Sequence, residues 1–257
     1  MKATLTVLGS GTSMGVPTIG CSCRVCTSSD PHDQRTRPSI MVEYDGRCVL
    51  IDTTPDFRQQ AIRERITQLD AIIYTHAHAD HVLGLDDVRP LSFRRPEKIP
   101  LYAHDDTAEA LRQIFRYIFD ANYKYGGIAR VELHSINGSL DLFGAHFEPV
   151  KVIHGDAVIH GFRFGSAAYL TDFSDIPPES MARLRGLDIL FLDALRRNPH
   201  PTHSTVANSL RLVEELKPRR AFFTHISHDL HHEETNQGLP ENVRLAYDGL
   251  KLEFDIA

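Results

Sequence analysis

Six residues at the end of an apolar run concentrate more chemistry than any comparable stretch of this chain. In "YTHAHADHVLGLDD" (residues 74–87), His76, His78, Asp80 and His81 follow directly on "LDAIIY". His76 and His78 are two apart at the end of a predicted strand. Asp80 and His81 come where the chain should turn into a helix, so the four side chains can fan around one point. Imidazole and carboxylate suit zinc, iron or manganese, and this spacing fits two ions better than one. A single strand-end histidine would ordinarily face water or cap a helix; four residues in H-x-H-x-D-H order form a metal pattern.

A second cluster lies in "IGCSCRVCTSSD", where Cys21, Cys23 and Cys26 fall within six residues. Three thiolates so close make a soft-metal site that lacks one ligand, since structural zinc takes four tetrahedral donors, and a histidine could complete it. The C-x-C-x-x-C pattern also admits a redox or Fe–S reading. The lone C-x-x-C lacks a thioredoxin-like context, however, and an Fe–S cluster usually takes a fourth cysteine. Cys48 alternates within "GRCVLID" and is assigned to the core.

The elements that must carry these residues are legible as alternating runs. "TLTVLG", "SIMVEY", "RCVLID", "AIIYTH", "IPLYAH", "FEPVKVIHG", "AAYLTD", "ILFLDA" and "AFFTHI" read as strands. Helical stretches fall between them. "DDTAEALRQIFRYIFD" begins on aspartate with apolar residues at helical spacing, and "HSTVANSLRLVEELKP" opens on a Ser/Thr cap and stops at proline. "NYKYGG" and "LRRNPHPTHS" read as loops that border a cleft. Sheets covered by helices follow.

At 257 residues the chain is expected to form a single domain over 1–257, with the Cys-rich metal loop at about 20–30. Apolar residues make up 42% and charged residues 24%, a globular balance, while a net charge of −6 without a dense Lys/Arg run argues against nucleic-acid and membrane partners. The N-terminus breaks at glycines instead of continuing as a signal peptide, and no stretch approaches the roughly 18 apolar residues of a membrane span. The expected location is the cytoplasm, where reduced cysteines favour metal over disulfides.

With these residues in place the sequence resembles the metallo-β-lactamase superfamily, whose hallmark is H-x-H-x-D-H at the end of a core strand. The resemblance implies a four-layer αββα sandwich. Further hallmark positions are matched by His154 in "VKVIHGD", Asp172 in "AAYLTDFSD" and His225 in "AFFTHISHD". It implies that His76, His78 and His154 hold one divalent ion, that Asp80, His81 and His225 hold a second, and that Asp172 bridges both. An aspartate at 172, where other branches have cysteine, is similar to the hydrolytic dinuclear branches, in which water is the nucleophile. Asp52 in "VLIDTTPD" either fixes a ligand imidazole or caps the helix beginning "TPDFRQQ".

The cysteine cluster narrows the resemblance to the phosphoribosyl cyclic phosphodiesterase branch associated with phosphonate catabolism. That branch implies a structural zinc held by Cys21, Cys23, Cys26 and His228, the last lying three residues past His225. It also implies an active-site histidine before the C-terminal helix. His203, 22 residues before His225 and followed by Ser-Thr, is the match, with His200 sharing the loop. Asp80 and His203 are the expected catalytic residues, His203 binding phosphate or protonating the leaving alkoxide. His231 and His232 are expected to be exposed, and His32, His104, His134, His146 and His160 to be structural or exposed.

The expected function is metal-dependent hydrolysis of a small cyclic or nucleotide-like phosphodiester such as 5-phosphoribosyl 1,2-cyclic phosphate. Zinc or manganese is the expected active-site metal, and the family admits a homodimer. A tRNA 3′-processing nuclease, an acyl hydrolase acting on thioesters or lactams, and a non-catalytic metal scaffold are the alternatives. The nuclease should carry a glycine- and basic-rich arm, which this sequence lacks.

Overall fold

The computed structural model describes residues 1–123 and 126–256. The loop expected at "NYKYGG" falls partly outside them, at 124 and 125. In chain order the strands are β1 (Lys2–Gly9), β2 (Ser39–Tyr44), β3 (Arg47–Ile51), β4 (Ala71–Ile73), β5 (Ile99–Ala103), β6 (Val131–Ser135), β7 (Leu140–Leu142), β8 (Ala145–His154), β9 (Ala157–Phe164), β10 (Ala167–Leu170), β11 (Ile189–Asp193), β12 (Arg220–Thr224), β13 (Val243–Leu245) and β14 (Lys251–Asp255). They form two seven-stranded sheets, ordered β14-β1-β2-β3-β4-β5-β6 and β13-β12-β11-β10-β9-β8-β7.

Each sheet is half antiparallel and half parallel. β3 to β6 run parallel in the first sheet, and β10 to β13 in the second. The central parallel strands are apolar runs buried on both faces, such as "AII" and "AAYL", as a sheet covered on each side requires. Between the sheets lies one apolar layer that includes Leu5, Val42, Ile73, Phe147, Phe162, Phe164 and Phe191. Outside the first sheet pack the helices Phe57–Arg63 and Asp105–Ile114, through Phe57 and Leu111; outside the second pack Pro178–Arg183 and Val206–Leu216, through Met181, Leu212 and Leu216. This is the αββα sandwich that the resemblance implies. Among the described residues no helix is long and apolar enough to cross a membrane.

Val206–Leu216 starts and stops where the sequence says it should. The Thr205 hydroxyl accepts from Asn208 N, and Lys217 takes a left-handed conformation before Pro218. The other expected helix is divided: it runs Asp105–Ile114 and resumes at Arg116–Phe119, with Phe115 between. Phe115, at the break, and Ile118 both pack into the outer core of the first sheet.

Candidate metal centre and active site

The expected site residues stand at strand ends, where the two parallel halves face each other. Asp52 follows β3, His76 follows β4, His154 ends β8, Asp172 follows β10, and His225 follows β12. Asp52, Asp172 and His225 have φ of 67, 54 and 56°, a left-handed conformation that turns each strand end sharply. Aspartate and histidine tolerate it better than most residues, but it costs on the order of 1–3 kcal/mol each and persists only where the surroundings enforce it. His78 caps the short helix Ala79–Val82, which presents Asp80 and His81.

These residues form two groups that share one member. The ligand atoms of His76, His78, His154 and Asp172 lie within 4.8 Å of one another, as do those of Asp80, His81, Asp172 and His225. The Asp172 carboxylate reaches both sides: Oδ1 is 3.3 Å from His81 Nε2, and Oδ2 is 3.1 Å from His225 Nε2 and 4.0 Å from His76 Nε2. The grouping matches the two ligand sets that the sequence implies.

Hydrogen bonds behind the imidazoles fix their tautomers. His81 Nδ1–H donates to Asp52 Oδ2 at 2.8 Å, and Thr75 Oγ1–H donates to the same oxygen at 2.8 Å. Thr75 Oγ1 in turn accepts from His76 Nδ1 at 3.0 Å. Asp52 thus orients two histidines at once, one directly and one through Thr75. It does not cap the helix Phe57–Arg63, whose cap position is Asp56. His154 Nδ1–H donates to the Thr202 carbonyl at 2.8 Å. In all three rings the remaining Nε2 is left free for a metal.

Electrostatics point the same way. Burial alone would depress His225, but the carboxylates of Asp172, Asp80 and Asp193 outweigh it and push it up to about 10. His81 is raised by Asp172, Asp80 and Asp52 against the same burial. Burial would raise Asp172, yet His225 and His81 hold it well below the usual carboxylate range. His76 is lowered by burial and by His81. His76 Nε2, Asp80 Oδ2, His81 Nε2 and His225 Nε2 are buried and lack a hydrogen-bond partner among the described residues. Such orphaned atoms in each of the two groups would be costly without a ligand, and a divalent cation in each group would satisfy them.

The cysteine cluster is built differently. Cys21, Cys23 and Cys26 place their Sγ atoms 3.3, 3.5 and 3.4 Å from His228 Nδ1. A tetrahedral zinc with ordinary Zn–S and Zn–N bonds sets S···N separations of about 3.6 Å, so the donors already stand at ligand spacing. The Cys26 amide donates to Cys23 Sγ and lowers that thiol to about 6, while burial pushes Cys26 up to about 11. Cys48 lies in the core, as expected.

His203 stands beside the first centre, its ring 4.8 Å from that of His154 and 4.5 Å from that of His225. Its Nδ1–H donates to Asp193 Oδ2 at 2.7 Å, which leaves Nε2 for another partner. Sequence reasoning passed over Asp193, although it ends a strand run as Asp52 and Asp172 do; that shared position was the available signal. Burial raises Asp193, opposed by His203 and His225. His200 accepts from Thr202 N at 3.3 Å and shares the loop as expected.

One other histidine departs from expectation. His232 is buried, its amide bonded to Asp33 and its ring 4.6 Å from that of His32, because the turn after β12 folds back under the N-terminal segment. His104 and His160 stack at 3.4 Å, joining the two sheets.

A family model described as the β-lactamase superfamily domain matches residues 47–226. A crystal structure described as a new diphosphatase from the PhnP family is 64% identical, covers 100% of this chain and 98% of that one, and superposes with a TM-score of 0.95. Zn²⁺-bound PqqB from Methylobacterium extorquens has a TM-score of 0.78 at 20% identity, covering 97% of this chain and 99% of that one, which shows the fold alone. An octanoyltransferase of Porphyromonas gingivalis is 38% identical over 254 residues, 97% of this chain but 51% of the relative. The chain spans about half the length of the curated relatives it matches.

Proposed function

The chain belongs to the metallo-β-lactamase superfamily, in its PhnP-like branch, and we propose that it hydrolyses a P–O bond in a small, doubly substituted phosphate. His76, His78, His154 and Asp172 would hold one divalent ion, Asp80, His81, His225 and Asp172 a second, with zinc or manganese as the metals. Such a pair lowers the pKa of a water and neutralises phosphoryl charge. Cys21, Cys23, Cys26 and His228 would hold a structural zinc outside the chemistry.

The observation that carries the reading is the Asp193–His203 pair beside the Asp172-centred cluster. With Nδ1–H committed to Asp193, His203 keeps Nε2 available beside the cluster and can hand a proton to a departing oxygen. Asp52 and the Thr202 carbonyl keep the ligand imidazoles in the tautomer that binds metal. A proton donor at this position suits the expulsion of an alkoxide or phosphate oxygen.

Two substrates fall within this chemistry. The sequence favours a cyclic phosphodiester such as 5-phosphoribosyl 1,2-cyclic phosphate. The 64% identical diphosphatase favours a disubstituted diphosphate, and we rank it first because that relative matches the whole chain. The acyltransferase relative is about twice as long as the matched segment, so its name is not carried over. The test is turnover by zinc- or manganese-loaded protein on a disubstituted diphosphate, the cyclic phosphate and bis(p-nitrophenyl) phosphate in parallel. Preference for the diphosphate supports the first ranking, preference for the cyclic ester the second, and inactivity on all three overturns the proposal.

A further inference from the structure

Arg35 is among the largest fully buried side chains of the protein, at 1% exposure. Its guanidinium meets the equally buried carboxylate of Asp33 at 2.9 Å. Burial pushes Arg35 down to about 10, so it stays ionised at neutral pH. A buried ion pair of this kind contributes little to stability by itself, since desolvating both charges offsets their attraction. Its meaning lies in the other groups the pair holds.

Arg35 Nη1 donates to the Ser227 carbonyl at 3.1 Å, Nη2 to the Leu230 carbonyl at 2.8 Å, and Nε to the His32 carbonyl at 3.1 Å. Asp33 Oδ1 accepts from the His232 amide at 2.9 Å. The pair therefore grips the turn after β12 at residues 227, 230 and 232. That turn carries His225 at its start and His228 within it. Arg35 also reaches the cysteine loop through its backbone, with Arg35 N donating to Val16 O at 2.7 Å and Val16 N to Arg35 O at 2.8 Å. Val16 packs on Val25 and Cys26. One residue thus joins the loop that bears three cysteines to the turn that bears both histidines.

Backbone contacts hold the start of the turn, and Arg35 and Asp33 hold it farther along. Ile226 is pinned from the other side, its amide donating to Ser10 O and its carbonyl accepting from Thr12 N. The Ser227 amide donates to Leu195 O, in the stretch that leads to His203. The Ser227 and Leu230 carbonyls face Arg35, and the His228 carbonyl between them lies 4.0 Å from Cys23 Sγ. His225 holds a left-handed backbone that needs enforcement from the chain on both sides.

We infer that Arg35, oriented by Asp33, is a positioning residue that sets the turn 225–230 against the cysteine loop and so fixes His225 and His228 together, coupling the geometry of the two metal sites. The inference rests on reading both clusters as metal sites.

The test is Co²⁺ titration of the full-length chain as wild type, Arg35→Lys, Arg35→Met and Arg47→Met, the last removing a surface cation paired with Asp70. Thiolate-to-cobalt charge-transfer bands report the cysteine site, and weak d–d bands report the His/Asp site. Arg35→Met should weaken cobalt binding at both sites by roughly 10–100-fold, the scale seen when an outer-shell partner is lost. Arg35→Lys should recover part of both affinities, and Arg47→Met should match wild type. If Arg35→Met does not fold, Arg35→Lys carries the test. A folded variant with unchanged affinity at both sites, or weakened at the cysteine site alone, overturns the inference. A wild type without thiolate bands instead removes the reading of the cysteine site.

Discussion

The two clusters use related ligands but stand in opposite structural settings. The His/Asp centre is assembled from the ends of strands in both sheets and from the β8–β9 hairpin, and most of its side chains are buried and braced by Asp52, Thr75 and Thr202. The cysteine cluster is three side chains of one irregular loop facing a histidine of a turn, and only Cys26 among the four is buried. The first centre is therefore shaped by the core before any metal arrives. The second would tie a loop whose apolar cluster is small, Val16, Val25 and Cys26 with Cys21 and Cys23 against them, to a turn anchored in the core by Ile226 and Leu230, and a metal there would contribute directly to the order of the loop. On the proposed reading, the first site would serve chemistry that needs preorganisation and a metal at the second would act as a staple.

The largest effect that tests this contrast should come from Asp172→Ala. Loss of the shared carboxylate should empty the His/Asp centre while the thiolate site still binds, with turnover falling by at least about three orders of magnitude as several kcal/mol of metal catalysis disappear. Elemental analysis beside a rate measurement checks this; retained turnover would break the distinction.

Next comes His203→Ala, with an expected loss of roughly 10²–10⁴-fold in kcat, steeper for substrates with poor leaving groups, and metal content unchanged. Equal losses across a leaving-group series would remove the proton-donor role. Asp193→Asn should follow the same leaving-group trend with a smaller loss, since it acts through His203.

Cys23→Ser should act on stability first. The thiolate site should lose its metal and residues 10–30 should become sensitive to limited proteolysis, while the His/Asp centre keeps its ions at reduced affinity. Proteolysis indistinguishable from wild type would contradict the staple.

A finer probe is Gly155→Ala. Gly155 has φ of 62°, and an added Cβ would stand 2.8 Å from the Thr202 methyl. The substitution should cost about 1–2 kcal/mol in denaturant unfolding and lower turnover a few-fold by moving Thr202, which orients His154 and adjoins His203. The smallest signal is protonic. The metal-free centre holds His225 protonated up to about 10, so binding a divalent ion at pH 7 should release protons and tighten as pH rises from 7 toward 10. Calorimetry in buffers of different ionisation enthalpy reads that release.

The sequence made the first centre legible because its ligands end apolar strand runs whose periodicity is strong. The nine expected strands are all present, as β1 to β5, β8 and β10 to β12. The five that went unread are short, or interrupted: β7 and β13 have three residues each, and β9 carries His160, Gly161 and Arg163. Gly161 belongs in that strand because an added Cβ would stand 2.6 Å from the Tyr169 carbonyl, a contact that no local propensity reveals. Asp193 was missed because its partner, His203, is brought to it by a loop closure that local patterns do not encode. His232 was assigned to the surface because "DLHHEE" looks polar, whereas the turn places it against His32 and Asp33.

The most direct test of the account is the metal content of the purified chain, compared with Asp172→Ala and Cys23→Ser. The account predicts three divalent ions per wild-type chain, with only the cysteine-site ion surviving in Asp172→Ala and only the His/Asp pair surviving in Cys23→Ser. A wild type that binds fewer than three ions after metal loading, or an Asp172→Ala chain that keeps all three, would contradict it.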